Sequence, residues 1–196
     1  MSKEITGVIL AGGKNSRMGS EKGLLSVDGD RIIERIIHVI EPLVDEIFII
    51  SNTENYNYLG LSVYSDIVGD CGPLGGIYTA LKNSKTEYNL IIACDMPFLS
   101  TNVLNYLISH TGSNQIIVPH FEGNLEPLCA IYHSSCTSRI MEHIQNRQFK
   151  LLDAINSFDC KIVEIDAKKY GEDCFRNINT RLEYQNLNRT RSENAN

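Results

Sequence analysis

Two glycines followed by two cations lie near the start of the chain, where they could bind an anion. Gly12 and Gly13 follow the apolar run Ile5–Leu10 after one intervening residue, and Arg17 and Lys22 lie a short distance downstream. Glycine lets the backbone approach a ligand and adopt positive φ, and successive N–H groups in such a turn form an anion-binding nest. This combination favours phosphate binding, with the two cations neutralising the charge. A tight turn with solvated cations is the alternative.

The glycine loop differs from two widespread nucleotide-binding motifs. Lys22 is followed by Gly23, whereas a Walker A lysine is followed by a Ser or Thr that holds magnesium. The loop also lacks the GxGxxG pattern of dinucleotide-binding folds. A phosphate site here therefore belongs to another class.

A second polar loop follows another apolar run. Tyr88–Ala93 is followed by Cys-Asp-Met-Pro, in which the acid is Asp95. Magnesium prefers one or two carboxylates together with water and substrate phosphate oxygens, so this position suits a metal ligand. Asp95 could instead cap the next helix, but Ser100 and Thr101 lie nearer to its start and are better placed for that role.

Four weaker features allow two interpretations each. Asp66 stands at the end of a predicted strand, directly after its last residue, and could bind a nucleotide or form a surface turn. The glycines within 72–76 could admit a base or phosphate at a helix N-terminus, or serve close packing of helix on sheet. Glu126 faces either a substrate or solvent, and Asn177 and Asn179 either bind an acceptor or form turns.

Alternating strands and helices must position these loops. Such alternation predicts an α/β fold with a mainly parallel sheet, in which ligands bind beyond the carboxyl ends of the strands. The two polar loops should therefore meet. The pattern predicts strands at 5–10, 46–51, 61–65, 88–93, 115–119, 126–132 and 160–165, and helices at 31–40, after 76, after 101, at 135–145 and at 151–157.

Composition narrows the class of protein. With 196 residues, a single domain over 1–187 is expected, followed by a polar, disordered tail over 188–196. The formal net charge of −6 argues against a nucleic-acid partner. The six cysteines show no CxxC spacing, and no signal peptide or membrane span precedes them, so a cytoplasmic protein with reduced thiols is expected.

Taken together, these residues resemble the molybdenum cofactor guanylyltransferases. The resemblance extends over residues 5–182. It is carried by Leu10-Ala11-Gly12-Gly13 with Ser16–Gly19 and Lys22, by Asp66, by Gly72-Pro73-Leu74, by Ala93–Phe98, by Glu126–Tyr132 and by Phe175–Thr180. The glycine loop and the Cys-Asp-Met-Pro loop within Ala93–Phe98 are typical of the wider nucleotidyltransferase superfamily.

The resemblance implies a Rossmann-like nucleotidyltransferase fold with helices on both faces of the sheet. It also implies transfer of GMP from GTP to the phosphate of molybdenum-molybdopterin, with pyrophosphate as the second product. Relatives that use CTP typically have Leu-Ala-Ala-Gly where this chain has Leu-Ala-Gly-Gly, which favours GTP. Arg181 stands where many relatives have proline, a departure that concerns the acceptor region.

The resemblance also assigns roles to single residues. Asp95 would bind both Mg²⁺ and the nucleotide. From the chemistry of the reaction, we further hypothesise that Arg17 and Lys22 stabilise the charge that develops on the leaving group. For Asn52, an ordinary turn at a strand end stays an alternative. The residues implied to contact GTP are Leu10, Ala11 and Gly12 through their backbone, and Lys22, Asn52, Asp66 and Asp95.

Two other functions stay open at this stage. One is a cytidylyl- or sugar-phosphate nucleotidyltransferase of the same superfamily, which nucleotide preference would distinguish. The other is a non-catalytic nucleotide-binding protein that delivers cofactor, although binding alone does not require a metal carboxylate such as Asp95. Molybdoenzymes or cofactor-insertion proteins are expected as transient partners, and no membrane partner is expected.

Overall fold

The structure is a computed structural model that describes residues 4–12, 21–180 and 183–185. Gly13 and Arg17 therefore lie outside the described residues, as does the tail expected from residue 188. All six cysteines are free. Among the described residues, no helix combines the length and the hydrophobicity that crossing a bilayer requires.

An eight-stranded mixed sheet forms the centre of the molecule. Its order is β10-β7-β9-β6-β1-β4-β5, with β8 paired to β7, while β2 and β3 form a separate hairpin. Most pairs are parallel, but β9 runs antiparallel to both β6 and β7. The strands are β1 (Ile5–Leu10), β2 (Ser26–Val27), β3 (Asp30–Arg31), β4 (Glu46–Ile50), β5 (Ser62–Tyr64), β6 (Tyr88–Ala93), β7 (Ile116–Phe121), β8 (Asn124–Leu125), β9 (Cys129–His133) and β10 (Cys160–Glu164).

Helices cover both faces of this sheet. In β1, Ile9 packs in one apolar cluster with α1 and α3, and Val8 packs in the other with α2, α4 and α5. Consecutive residues of a strand point to opposite faces, so the two clusters lie on opposite sides. The helices are α1 (Ile32–Ile40), α2 (Pro73–Asn83), α3 (Thr101–Ile108), α4 (Thr137–Gln145), α5 (Leu151–Ile155) and α6 (Ala167–Tyr170).

Local sequence explains where the helices that flank the site begin and which face they bury. The isoleucines of α1 recur at helical spacing, and Ile32, Ile33, Ile36 and Ile40 are buried. Ser100 caps α3, as its hydroxyl oxygen accepts a hydrogen bond from the N–H of Val103 at 3.5 Å. Asp95 is therefore free of the capping role.

The predicted α/β class with a mainly parallel sheet is confirmed, while several elements, including the unpredicted α6, differ from the prediction. The predicted strand at 126–132 begins only at Cys129 and is antiparallel to its neighbours, a direction that its apolar pattern does not encode. The hairpin of β2 and β3 and the short β8 were not predicted, because two-residue strands carry no periodic signal.

Candidate active site

Three parallel strands end side by side at one edge of the sheet. Leu10, the last residue of β1, is in register with Ile50 of β4 and Ala93 of β6. The ladder continues one residue further, since the N–H of Ala11 donates to Ile50 and the N–H of Cys94 donates to Leu10. The loops after these strands therefore start next to one another, as the parallel sheet predicted.

A cavity of about 630 Å³ opens at this edge. Its size falls within the range of small-molecule sites, which is roughly 300–1,000 Å³. Every described residue that the family resemblance assigns to GTP lines it, namely Leu10, Ala11, Gly12, Lys22, Asn52, Asp66 and Asp95. Residues separated by up to eighty-five positions are thus brought to one surface, whereas Arg17 lies outside the described residues.

Lys22 and Asp95 form an ion pair at this cavity. The Nζ atom of Lys22 lies 2.8 Å from Oδ2 of Asp95, and the two side chains are 22% and 18% exposed. The same Nζ donates to Oδ1 of Asn179 at 2.7 Å. The N–H of Ile178 donates to the backbone oxygen of Asp95 at 2.9 Å, so the C-terminal segment lies against the loop after β6.

Asn52 and Asp66 join the ends of β4 and β5. The Nδ2 group of Asn52 donates to Oδ2 of Asp66, and the backbone N–H of Asp66 donates to Oδ1 of Asn52, both at 2.9 Å. The other carboxylate oxygen of Asp66, Oδ1, is buried and has no hydrogen-bond partner among the described residues. It lies near Gly76, where an added Cβ would be 3.8 Å away.

The glycines of the site act in different ways. An added Cβ on Gly75 would come within 2.8 Å of the backbone oxygen of Val68, so close packing requires this glycine. Gly72, the residue before α2, adopts φ +57 and ψ −147, a conformation open almost only to glycine. Gly12 does not adopt a positive φ, and a Cβ added to it would meet no described atom closer than 4.0 Å.

Glu21, the residue directly before Lys22, forms hydrogen bonds to the loop after β4. Its Oε1 atom accepts hydrogen bonds from the hydroxyl of Thr53 at 2.8 Å and from Nδ2 of Asn55 at 2.9 Å. Gly23 follows in a short 3₁₀ helix, Lys22–Leu24, and packs against the buried side chain of Tyr56. These contacts fix the backbone on both sides of Lys22.

Two titratable groups near Asp95 have pKa values above their ordinary ones. Burial raises the pKa of the Cys94 thiol to about 12, and the charge of Asp95 adds to the shift. A thiol with such a pKa is a poor nucleophile at neutral pH, so the site offers no activated cysteine at this position. Burial also raises the pKa of Glu126, again with a contribution from Asp95.

One carboxylate of the cavity, that of Asp95, has an oxygen available to a magnesium ion. Asp95 supplies a carboxylate whose Oδ1 atom makes no hydrogen bond to the described residues, while Oδ2 is paired with Lys22. The described part of the chain contains no cluster of three or more His, Cys, Asp or Glu side chains that could hold a metal. Magnesium bound to nucleotides needs only one or two protein carboxylates, so Asp95 fits a metal shared with substrate phosphates.

Sequence reasoning missed several residues of this site. Glu21, Thr53, Asp70 and Cys71 line the cavity without belonging to a pattern that spacing would single out. Glu21 does stand directly before Lys22, and an acidic residue at that place in a phosphate loop is the signal that could have drawn attention to it.

The family of the chain follows from comparison with known proteins. The model of the family described as "MobA-like NTP transferase domain" matches residues 7–158. The chain belongs to this MobA-like family. Its matched region includes β1 to β9 from the third residue of β1 onward, and therefore the strand ends that form the cavity.

Relatives within the MobA-like family confirm the resemblance to molybdenum cofactor guanylyltransferases. A protein of Clostridium perfringens strain 13 named "Probable molybdenum cofactor guanylyltransferase" is 40% identical over 187 residues, covering 91% of this chain and 93% of the relative. A protein of Flavobacterium johnsoniae with the same name is 40% identical over 185 residues, covering 94% of this chain and 96% of the relative.

Solved structures share the fold. Molybdopterin-guanine dinucleotide biosynthesis protein A from Archaeoglobus fulgidus superposes with a TM-score of 0.78 at 22% identity, covering 96% of this chain and 99% of that protein. A CMP:2-keto-3-deoxy-manno-octonic acid synthetase superposes with a TM-score of 0.76 at 10% identity, covering 97% of this chain and 99% of that protein. The nucleotidyltransferase fold expected from the sequence is thereby confirmed.

Proposed function

We propose that this protein transfers GMP from GTP to the terminal phosphate of molybdenum-molybdopterin, forming a guanine dinucleotide cofactor and pyrophosphate. The observation that carries the proposal is the convergence of Leu10, Asn52, Asp66, Lys22 and Asp95 on one cavity. The names of the relatives at 40% identity support the choice of guanine nucleotide and acceptor. A cytoplasmic location and transient contact with molybdoenzymes belong to the same proposal.

The cavity suits a nucleoside triphosphate in its size and its polar groups. The exposed backbone at Gly12 leaves room for close approach of a ligand, because neither a side chain nor a described neighbour fills that space. Lys22 supplies a cation for the phosphates, and Asn52 and Asp66 supply polar groups at the adjoining strand ends. Arg17 is proposed as a second cation, from its place in the sequence alone.

The proposed reaction is a direct displacement. An oxygen of the acceptor phosphate forms a bond to the α-phosphorus of GTP, and the bond from that phosphorus to the bridging oxygen of the β-phosphate breaks. The electron pair leaves with pyrophosphate. Such chemistry depends on positioning and charge neutralisation, and the attacking phosphate is already ionised at neutral pH, so no general base is required.

Each residue then has a defined part. Lys22 stabilises negative charge on the departing pyrophosphate, and the nearby backbone N–H groups hold the phosphates in line. Asp95 would hold magnesium, which when bound neutralises the phosphates and makes the α-phosphorus more electrophilic. The neutral thiol of Cys94 fills space beside Asp95 and takes no part as a nucleophile.

Thermal unfolding with GTP, CTP, ATP and UTP, each with magnesium or with a chelator, tests the proposal. A ligand at a hundred times its dissociation constant stabilises the fold by about 2.7 kcal/mol. We expect GTP with magnesium to stabilise the protein. In a separate assay of pyrophosphate, we expect release only when acceptor is added. Stabilisation by CTP alone would identify a cytidylyltransferase, and tight GTP binding without pyrophosphate release would identify a binding protein.

A further inference from the structure

The end of the described chain reaches back to the cation of the active site. Asn179 is separated from Lys22 by 157 positions, yet its Oδ1 atom accepts the 2.7 Å hydrogen bond from Nζ of Lys22. Asn179 is a neutral acceptor, whereas Asp95, the other partner of Lys22, is a carboxylate. Asn179 can therefore orient the ammonium group and leave its charge available to phosphates.

Glu183 fixes the backbone at Asn179. Its Oε2 atom accepts hydrogen bonds from the N–H of Asn179 at 2.7 Å and from the N–H of Thr180 at 3.1 Å. In return, the N–H of Glu183 donates to Oγ1 of Thr180 at 3.1 Å. The reciprocal pair of Thr180 and Glu183 is a capping box, which fixes the direction in which the chain enters the helical residues 183–185.

The bond to Asn179 goes beyond what a capping box needs. A capping box satisfies the N–H of the N-cap residue, here Thr180, and the N–H of the residue before it is not part of the motif. In this chain the same carboxylate oxygen also holds that preceding N–H, at the shorter of the two distances. The extra bond acts on the residue whose side chain contacts Lys22.

We propose that Glu183 is a positioning residue, which holds Asn179 in place so that Asn179 orients Lys22 toward the phosphates of the nucleotide. The inference rests on the proposed function for the identity of the ligand. A lysine side chain loses rotamer entropy when a ligand fixes it, and a pre-oriented ammonium group loses less of that entropy when the ligand binds. Glu183 thus acts on binding through two intermediates and touches no substrate.

Calorimetric titration of the full chain with GTP and magnesium provides the first test. Glu183→Ala should raise the dissociation constant about tenfold, which corresponds to about 1.4 kcal/mol. Glu183→Gln should bind as the unchanged protein does, because both N–H groups bond one oxygen and the amide oxygen of glutamine can accept both. Gln185→Ala, at an exposed position two residues on, is the matched control and should bind normally.

Acetylation of lysines by a limiting amine-reactive ester provides a second readout, which needs no nucleotide. Labelling of Lys22, quantified by peptide mass spectrometry relative to the exposed Lys82, should rise in Glu183→Ala and stay unchanged in Glu183→Gln. Asn179→Ala should raise it equally, and adding Glu183→Ala to that variant should raise it no further. Additive effects in the double variant would overturn the proposal.

The two readouts separate failure of this inference from failure of the proposed function. The predicted labelling pattern in a protein that binds no GTP would support the role of Glu183 and reject the nucleotide. If the unchanged protein and Glu183→Ala bind GTP with equal affinity and Lys22 is labelled equally in both, the proposed role of Glu183 is overturned. Equal losses in Glu183→Ala and Glu183→Gln would also overturn it, since charge rather than hydrogen bonding would then be responsible.

Discussion

Asn52 and Asp66 hold each other by two reciprocal hydrogen bonds, side chain to side chain and side chain to backbone, each 2.9 Å long. The pair joins the loops that follow two neighbouring parallel strands, β4 and β5. It also orients Asp66 so that Oδ1 is left without a partner among the described residues. A buried acceptor without a donor is costly, and a ligand hydroxyl or N–H group would relieve that cost.

The two residues should therefore act as one unit in nucleotide binding. We expect Asn52→Ala and Asp66→Ala each to weaken GTP binding, and the double variant to lose much less than the sum of the two. Residues in one hydrogen-bond network typically show coupling of about 0.5–3 kcal/mol in such cycles. Isothermal calorimetry of the four proteins measures this coupling, and strictly additive losses would contradict it.

The ion pair of Lys22 and Asp95 yields a second prediction, in which replacing Asp95 and replacing Lys22 have different effects on binding and turnover. Asp95→Ala should abolish turnover and magnesium-dependent GTP binding while the protein remains folded. Lys22→Ala should weaken binding of the triphosphate and slow turnover by about 10²–10³-fold, the usual effect of removing one group that stabilises developing charge. Steady-state kinetics, with circular dichroism for the fold, provides the measurement.

Matched controls for this pair lie elsewhere on the surface. Lys82→Ala and Asp153→Ala remove the same side-chain types at exposed positions on α2 and α5. Both variants should retain turnover and GTP affinity. An Asp95→Ala protein that still turns over would reject the assignment of Asp95, and unchanged GTP affinity in Lys22→Ala would show that this cation does not contact the triphosphate.

The close approach of α2 to the preceding loop predicts a large effect of one methyl group. Gly75→Ala should destabilise the protein by about 1–3 kcal/mol, because the new Cβ would lie 2.8 Å from the backbone oxygen of Val68. In Gly69→Ala the new Cβ meets no described atom within 4 Å, and the change in stability should stay within about 1 kcal/mol. Urea unfolding of both variants compares them, and equal stabilities would refute the packing argument.

Glu126 should make the stability of the protein depend on pH. Burial raises its pKa above the ordinary 4.5, so from about that pH upward the native state binds more protons than the unfolded state. The free energy of unfolding then falls with rising pH, by at most about 1.4 kcal/mol per pH unit for a single group. The fall ends above the pKa of the folded state.

Glu126→Gln removes this titration. The variant should gain stability relative to the unchanged protein as pH rises from about 4 to about 7, a window that starts below the ordinary pKa of the group. Urea unfolding across that range measures the difference, with Glu142→Gln on the exposed face of α4 as the control. Parallel pH profiles for all three proteins would show that Glu126 is not held in an environment that disfavours its charge.

The sequence predicted that the two polar loops would meet, but it did not predict the hydrogen bonds between the residues that line the cavity. Leu10 and Ala93 each end an apolar run before a polar loop, and the geometry of parallel strands then brings Gly12 and Asp95 together. By contrast, the bonds of Glu21 to Thr53 and Asn55 join residues more than thirty positions apart. Pairings of that kind depend on how the loops fold over the sheet, and no periodic pattern records them.

Two further features of the structure also depend on tertiary contacts that the sequence pattern does not record. The reversed direction of β9 follows from tertiary pairing, because an apolar run predicts a strand but not its orientation. For the glycines within 72–76, sequence reasoning allowed both ligand approach and packing, and the atoms that neighbour Gly75 identify it as a packing residue. The roles of the site residues in binding and catalysis stay predictions, which the variants above test.

The position of β6 in the sheet has a consequence for how such enzymes can diversify. Asp95 follows the strand at the seam between two halves, with β1, β4 and β5 on one side and β9, β7 and β10 on the other. The loops that line the cavity come largely from the first half, while Glu126 and the C-terminal segment approach from the second. Under the proposed function, the first half would hold the nucleotide and the second would meet the acceptor, so exchanging loop segments of the second half is a route to a new acceptor specificity.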